Sequence, residues 1–168
     1  MNKLSIFVGG VLGLVFSIFV VGLALKVAAP SILLKEVTSS YDFDKTVELI
    51  TNRINKQDGW HVSNVINKQE DILKHGGKDI GKVKIIKFFN AKYEQEILSS
   101  DESKIMATNM PLSISVYEKS DGRVMIGLNN ISVMAKLFSS KKGADTMEHM
   151  AKDVGKILSF THFRFTIF

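Results

Sequence analysis

The feature that most constrains this chain is an uncharged apolar run from Leu4 to Leu25, LSIFVGGVLGLVFSIFVVGLAL, whose only polar side chains are Ser5 and Ser17. Coiled as a helix at ~1.5 Å per residue, its 22 residues extend ~33 Å, which matches a ~30 Å hydrocarbon core. The expectation is therefore one transmembrane helix within residues 1–29, ended by Pro30, which cannot donate a backbone hydrogen bond. A cleaved signal peptide is the rival reading, with Val27-Ala28-Ala29 as its cleavage site. The run is too long for an ordinary signal sequence, and Pro30 directly after the cut is unfavourable. The retained anchor is preferred, with the rest of the chain as a globular domain on the extracytoplasmic, periplasmic side. Gly9, Gly13 and Ser17 recur every four residues and put small side chains on one helix face, a candidate contact for a partner helix in a membrane complex. The competing explanation is that glycine is simply common in such helices.

Residues 30–168 are mixed in polarity and long enough for one domain with a real core. They hold all 17 acidic residues and all but two of the 22 Lys and Arg, so their basic excess is mild. The lysines are scattered and aromatic interleaving is sparse, which excludes a nucleic-acid footprint. Attraction to the lipid bilayer is a more natural use of them. The chain has no cysteine, which removes thiol chemistry.

Periodicity gives the element order. Ser31–Ser40 leads into a first strand, and Asp42 caps a helix from Phe43 to Gln57 with Phe43, Val47, Ile50 and Ile54 as its apolar stripe. Trp60–Ile66 alternates as a strand with Trp60, Val62 and Ile66 on one face. Asn67 through Glu70 forms a capping box for a short helix ending at Gly76-Gly77. A strand over Lys82–Phe89 is followed by a helix from Asn90 to Leu98, and Ser99–Ser103 is expected as a loop. Strands from Pro111 to Lys119 and from Arg123 to Asn129 join through Asp121-Gly122. A short helix at Ile131–Phe138 and a last one from Ala144 to about Phe160 complete the domain, residues 30–160. This order indicates an α+β fold, an antiparallel sheet with two main helices on one face.

Three stretches in this order, Lys87–Tyr93 (KFFNAKY), Asn109–Glu118 (NMPLSISVYE) and Asn129–Phe138 (NNISVMAKLF), resemble the family called domain of unknown function 302. The likeness covers roughly Glu36 to Phe160. It implies a curved, TATA-binding-protein-like sheet and a homodimer as one arrangement, and it implies no activity. Members commonly carry Cys-Asn-Pro where this chain has Phe89-Asn90-Ala91, so any thiol role of that cysteine is lost here. Asn90 is explained most simply as a helix N-cap. The sharper alternative makes it a polar group of a ligand groove, together with Phe89 and Asn130.

No phosphate-binding glycine loop or nucleophile elbow is present. Asp145, His149 and Asp153 share one side of the last helix, but a solvated, charge-mixed face explains them better than a metal. Met106, Met110, Met147 and Met150 invite a soft-metal idea, yet methionine usually fills gaps in a core. The segment 161–168 (THFRFTIF) groups Phe163, Phe165 and Ile167, with Phe168 at the end, as a strand addition, a partner contact or a lipid contact. The functional expectation is a non-enzymatic, membrane-anchored accessory or binding protein within a larger membrane complex, without cofactor or metal. The alternative is an extracytoplasmic domain that binds a small apolar ligand or haem.

Overall fold

In a computed structural model of the chain, residues 3–136 and 141–161 are described. The chain divides into two units at the boundary between Leu33 and Leu34. The first is a single helix, α1 (Lys3–Leu33), of 31 residues. It does not stop at Pro30, as expected, but continues one turn further.

The transmembrane expectation is corrected by this helix. Among the described residues, no helix is long and apolar enough to cross a membrane. The single-pass, extracytoplasmic localisation inferred from that span goes with it.

In the second unit, Asp42 starts α2 (Phe43–Lys56) by accepting the Lys45 N–H at 2.8 Å on its carboxylate. Phe43, Val47, Ile50 and Ile54 then fall on one face and are all buried. Before this helix lies β1 (Leu34–Thr38), and after it β2 (Trp60–Asn67). Asn67 caps α3 (Lys68–Lys74) by accepting from the Glu70 N–H at 3.2 Å. Gly76 follows that helix at φ 80°, a conformation that other residues seldom adopt. Next come β3 (Val83–Asn90) and α4 (Ala91–Ile97). The expected loop at Ser99–Ser103 is instead the start of a 3-10 helix, Asp101–Asn109, capped by the Ser100 hydroxyl. β4 (Leu112–Glu118) turns through Gly122 into β5 (Val124–Asn129), and the described residues end with α5 (Ile131–Ala135) and α6 (Lys141–Ile157).

The five strands form one antiparallel sheet in the order β1-β5-β4-β3-β2. Its inner face supplies Ile86, Phe88, Ile114, Val116, Ile126 and Leu128 to a core shared with the apolar faces of α2 and α6. Met147, Met150, Ala151, Val154, Ile157 and Leu158 are buried there, so the α+β architecture agrees with the sequence expectation. One strand departs from it. A bulge between Val62 and Asn64 shifts the register of β2, so Ile66 pairs with Ile85 while Val62 pairs with Phe88. Because one extra residue swaps the faces of everything beyond it, Ile66 lies opposite to Trp60 and Val62.

Candidate functional site: a trough on the open face of the sheet

Alternation in the strands assigns a second set of side chains to the face away from the core. Between buried Leu112, Ile114 and Val116, β4 turns Ser113, Ser115 and Tyr117 outward, all half-buried. β3 contributes Ile85 and Lys87, β5 contributes Gly127 and Asn129, and β1 contributes Glu36. The pairing places Lys87 opposite Ser113, Ile85 opposite Ser115, Ser115 opposite Gly127, and Gly127 opposite Glu36. Gly127 thus leaves the middle of the sheet without a side chain. Around it lies a shallow cavity of about 360 Å³, whose lining includes Ile85, Lys87, Ser113, Ser115, Tyr117 and Asn129.

The hydrogen bonds in the trough differ between its two ends. The Ser115 hydroxyl donates to the Gly127 carbonyl at 3.0 Å and leans over the glycine, where an added Cβ would lie 2.8 Å from its Oγ. At one end Glu36 accepts from the Tyr117 hydroxyl and from Lys119 Nζ at 3.0 Å, so this carboxylate is neutralised. At the other end Lys87 Nζ donates to Ser113 Oγ at 2.7 Å. Among the described residues, Lys87 has no carboxylate partner.

A second polar cluster lies on the helical side. Asp153 of α6 accepts from Trp60 Nε1 at 3.3 Å, from the Tyr93 hydroxyl at 3.1 Å and from Lys156 Nζ at 3.0 Å. Burial pushes its carboxyl up, but the bonds from Lys156, Trp60 and Tyr93 and the charge of Lys156 outweigh it and hold the carboxyl below its ordinary value. Burial and the neighbouring Asp153 charge push the Tyr93 hydroxyl up. Trp60 also packs on Phe88 and Tyr93, with ring centroids at 5.4 and 5.9 Å. Asp153 is therefore a clamp that ties α6 to β2 and α4.

The residues singled out in the sequence scatter around these two places. Asn90 is buried and accepts the N–H groups of Lys92 and Tyr93 at 3.1 and 3.3 Å, the geometry of an N-cap. Phe89 points to the opposite face, beside His61 at 5.8 Å between ring centroids. Asn130 is buried at the start of α5, where its carbonyl accepts from Val133 and Met134. None of the three lines the trough. Asp145 and His149 are exposed while Asp153 turns inward, and among the described residues no group of three or more His, Cys, Asp or Glu could hold a metal. Met147 and Met150 are core, and Met106 and Met110 pack against it. In α1, Gly9 and Gly13 are exposed and the Ser17 hydroxyl bonds back to the Gly13 carbonyl at 2.8 Å. Phe163, Phe165, Ile167 and Phe168 lie outside the described residues.

The trough itself escaped the sequence reading. Its signals were present: Ser-x-Ser-x-Tyr alternating with apolar residues in β4, and one glycine inside the apolar run VMIGLN. An isolated strand glycine marks a close approach or a gap.

Comparison with known proteins agrees with this architecture. The family described as Domain of unknown function DUF302 matches residues 35–160. Among solved structures, the chain is similar to an uncharacterized conserved DUF302 protein from Bacillus stearothermophilus, at 17% identity and a TM-score of 0.67. The likeness covers 77% of this chain and 98% of that one and concerns the fold alone. No curated protein is significantly similar to the chain.

Proposed function

The chain belongs to the DUF302 family, and on that premise we propose that it is a non-enzymatic binding domain whose ligand seat is the open face of the sheet. The observation that carries this reading is the trough over Gly127. Its volume of about 360 Å³ falls at the lower end of the ~300–1,000 Å³ typical of small-molecule sites. Apolar surface from Ile85 and Leu34 adjoins a few polar groups, the mixture that fixes a small ligand in one orientation. This reading takes up the alternative expected from the sequence, a domain that binds a small ligand, with the ligand's place moved from Phe89, Asn90 and Asn130 to the open face of the sheet.

Binding fits this face better than catalysis. Lys87 and Ser113 make the one pairing in the trough that suggests a nucleophile and a base. Such a pair needs a desolvated lysine and donors aimed at a developing oxyanion. This pair lies in an open trough, on strands whose paired backbone N–H groups are committed to the ladder. Haem fits poorly, because no His, Met or Cys is among the lining residues to ligate its iron, and the Tyr117 hydroxyl is bonded to Glu36.

Aminoanthracene, a small neutral fluorescent probe, tests the seat. Its emission should rise saturably with the wild-type protein. The rise should be lost in Gly127→Val, which fills the trough from β5, and in Ser115→Ile, which fills it from β4. Circular dichroism verifies that each variant is folded. Undiminished emission with two folded, filled variants would overturn the reading.

A further inference from the structure

We infer, resting on that reading, that the ligand is a short aliphatic carboxylate, with its carboxylate at Lys87 and Ser113 and its apolar body over Gly127 and Ile85. The charge pattern of the trough supplies the first argument. Its two ionic ends differ: Glu36 is already met by Lys119 and Tyr117, whereas among the described residues Lys87 faces no carboxylate. Half-buried Lys87, its ammonium held by a neutral hydroxyl, is therefore an uncompensated charge of the cavity, whose lining also includes Lys35.

Hydrogen-bond accounting supplies the second. Ser113 Oγ accepts from Lys87, and no protein acceptor for its own proton is found among the described residues. Ser113 thus presents an O–H beside the ammonium, two donors from adjacent strands for the two oxygens of one carboxylate. Asn129, exposed in the same row on β5, adds an amide at the rim. The third argument is the neighbouring row, Ile85–Ser115–Gly127, where Ser115 already donates to the Gly127 carbonyl. With that hydroxyl spent, no side chain on Gly127, and Glu36 opposite it held by Tyr117 and Lys119, this row gives a hydrocarbon contact and room rather than further polar recognition. The small volume limits the body to a short chain.

Isothermal titration of the full chain with octanoate and octanol, each below its aggregation limit, separates the two claims. Wild-type protein should bind octanoate at least about tenfold more tightly than octanol, which is ~1.4 kcal/mol. Lys87→Met should reduce that preference to near unity, and Lys87→Arg should restore most of it. Equal affinity of the wild type for both compounds would overturn the carboxylate assignment while leaving the trough as a seat. So would octyl phosphate binding more tightly than octanoate, or a preference that survives in folded Lys87→Met. Failure of aminoanthracene, octanoate and octanol alike to bind would overturn the seat as well.

Discussion

Removing the Asp153 carboxylate should loosen α6 from the sheet, and the size of the effect follows from what it holds. The side chain is only 13% exposed and accepts three hydrogen bonds, two of them from aromatic donors on β2 and α4. In Asp153→Ala the indole N–H of Trp60, a residue 1% exposed, loses its acceptor. An unsatisfied buried donor costs about 1–3 kcal/mol. The half-buried Tyr93 hydroxyl can turn toward water, so its loss is nearer the ~0.5–1.5 kcal/mol of an ordinary hydrogen bond. Lys156 is largely exposed and contributes little. The sum is a loss of roughly 2–4 kcal/mol, measurable by urea unfolding followed by circular dichroism. Trp60→Phe removes the indole donor, so adding Asp153→Ala to that variant should cost about 1 kcal/mol less than in wild type. The pH dependence gives a second reading. A carboxyl held below its ordinary 3.8 in the folded state stabilises the fold above that value. This contribution is lost as pH falls through the depressed folded value. The penalty of Asp153→Asn should accordingly be full at neutral pH and shrink below about pH 4. A penalty independent of pH, or strict additivity of the Trp60 and Asp153 changes, would refute the clamp.

Asn90→Ala removes the cap of α4 and should cost about 1 kcal/mol, within the usual range of 0.5–2, in the same unfolding measurement. The binding reading also predicts that a fluorophosphonate probe leaves Ser113 unmodified, as seen by intact mass, whereas stoichiometric labelling lost in Lys87→Met would reveal a hydrolase.

Most of the second unit was legible because its signals are local. Asp42, Asn67 and Asn90 each precede a helix at cap position, and all three accept the N–H groups expected of a cap. The apolar stripes of α2 and α6 point into one core as their 3.6-residue period requires. What failed depended on more than period. Alternation in β2 put Ile66 with Trp60, but the bulge at Ser63 reverses the face, and a bulge leaves no hydrophobic signature in so short a strand. The 3-10 helix at Asp101–Asn109 has a weak, mixed pattern with no buried residue to mark it. For α1 the apolar composition was plain, yet among the described residues no helix is long and apolar enough to cross a membrane.

The trough was hidden for a different reason. Phe89, Asn90 and Asn130 stand out in sequence because they lie in family-like stretches. A seat on a sheet is instead made by ordinary residues two apart in one strand and opposite one another across three. Lys87, Ser113 and Asn129 are unexceptional singly and lie on β3, β4 and β5, and only the register brings them into one row. Face assignment then decides chemistry: Asn90, one step beyond Phe89, falls on the core side and is consumed in capping. Lys87, two residues before Phe89, shares its outward face and keeps its ammonium on the surface of the sheet. The same alternation that buries Ile86 and Phe88 therefore builds the core and sets out the row proposed to bind at once. A substitution that shifts β3 by one residue should exchange the two sets and abolish folding and binding together.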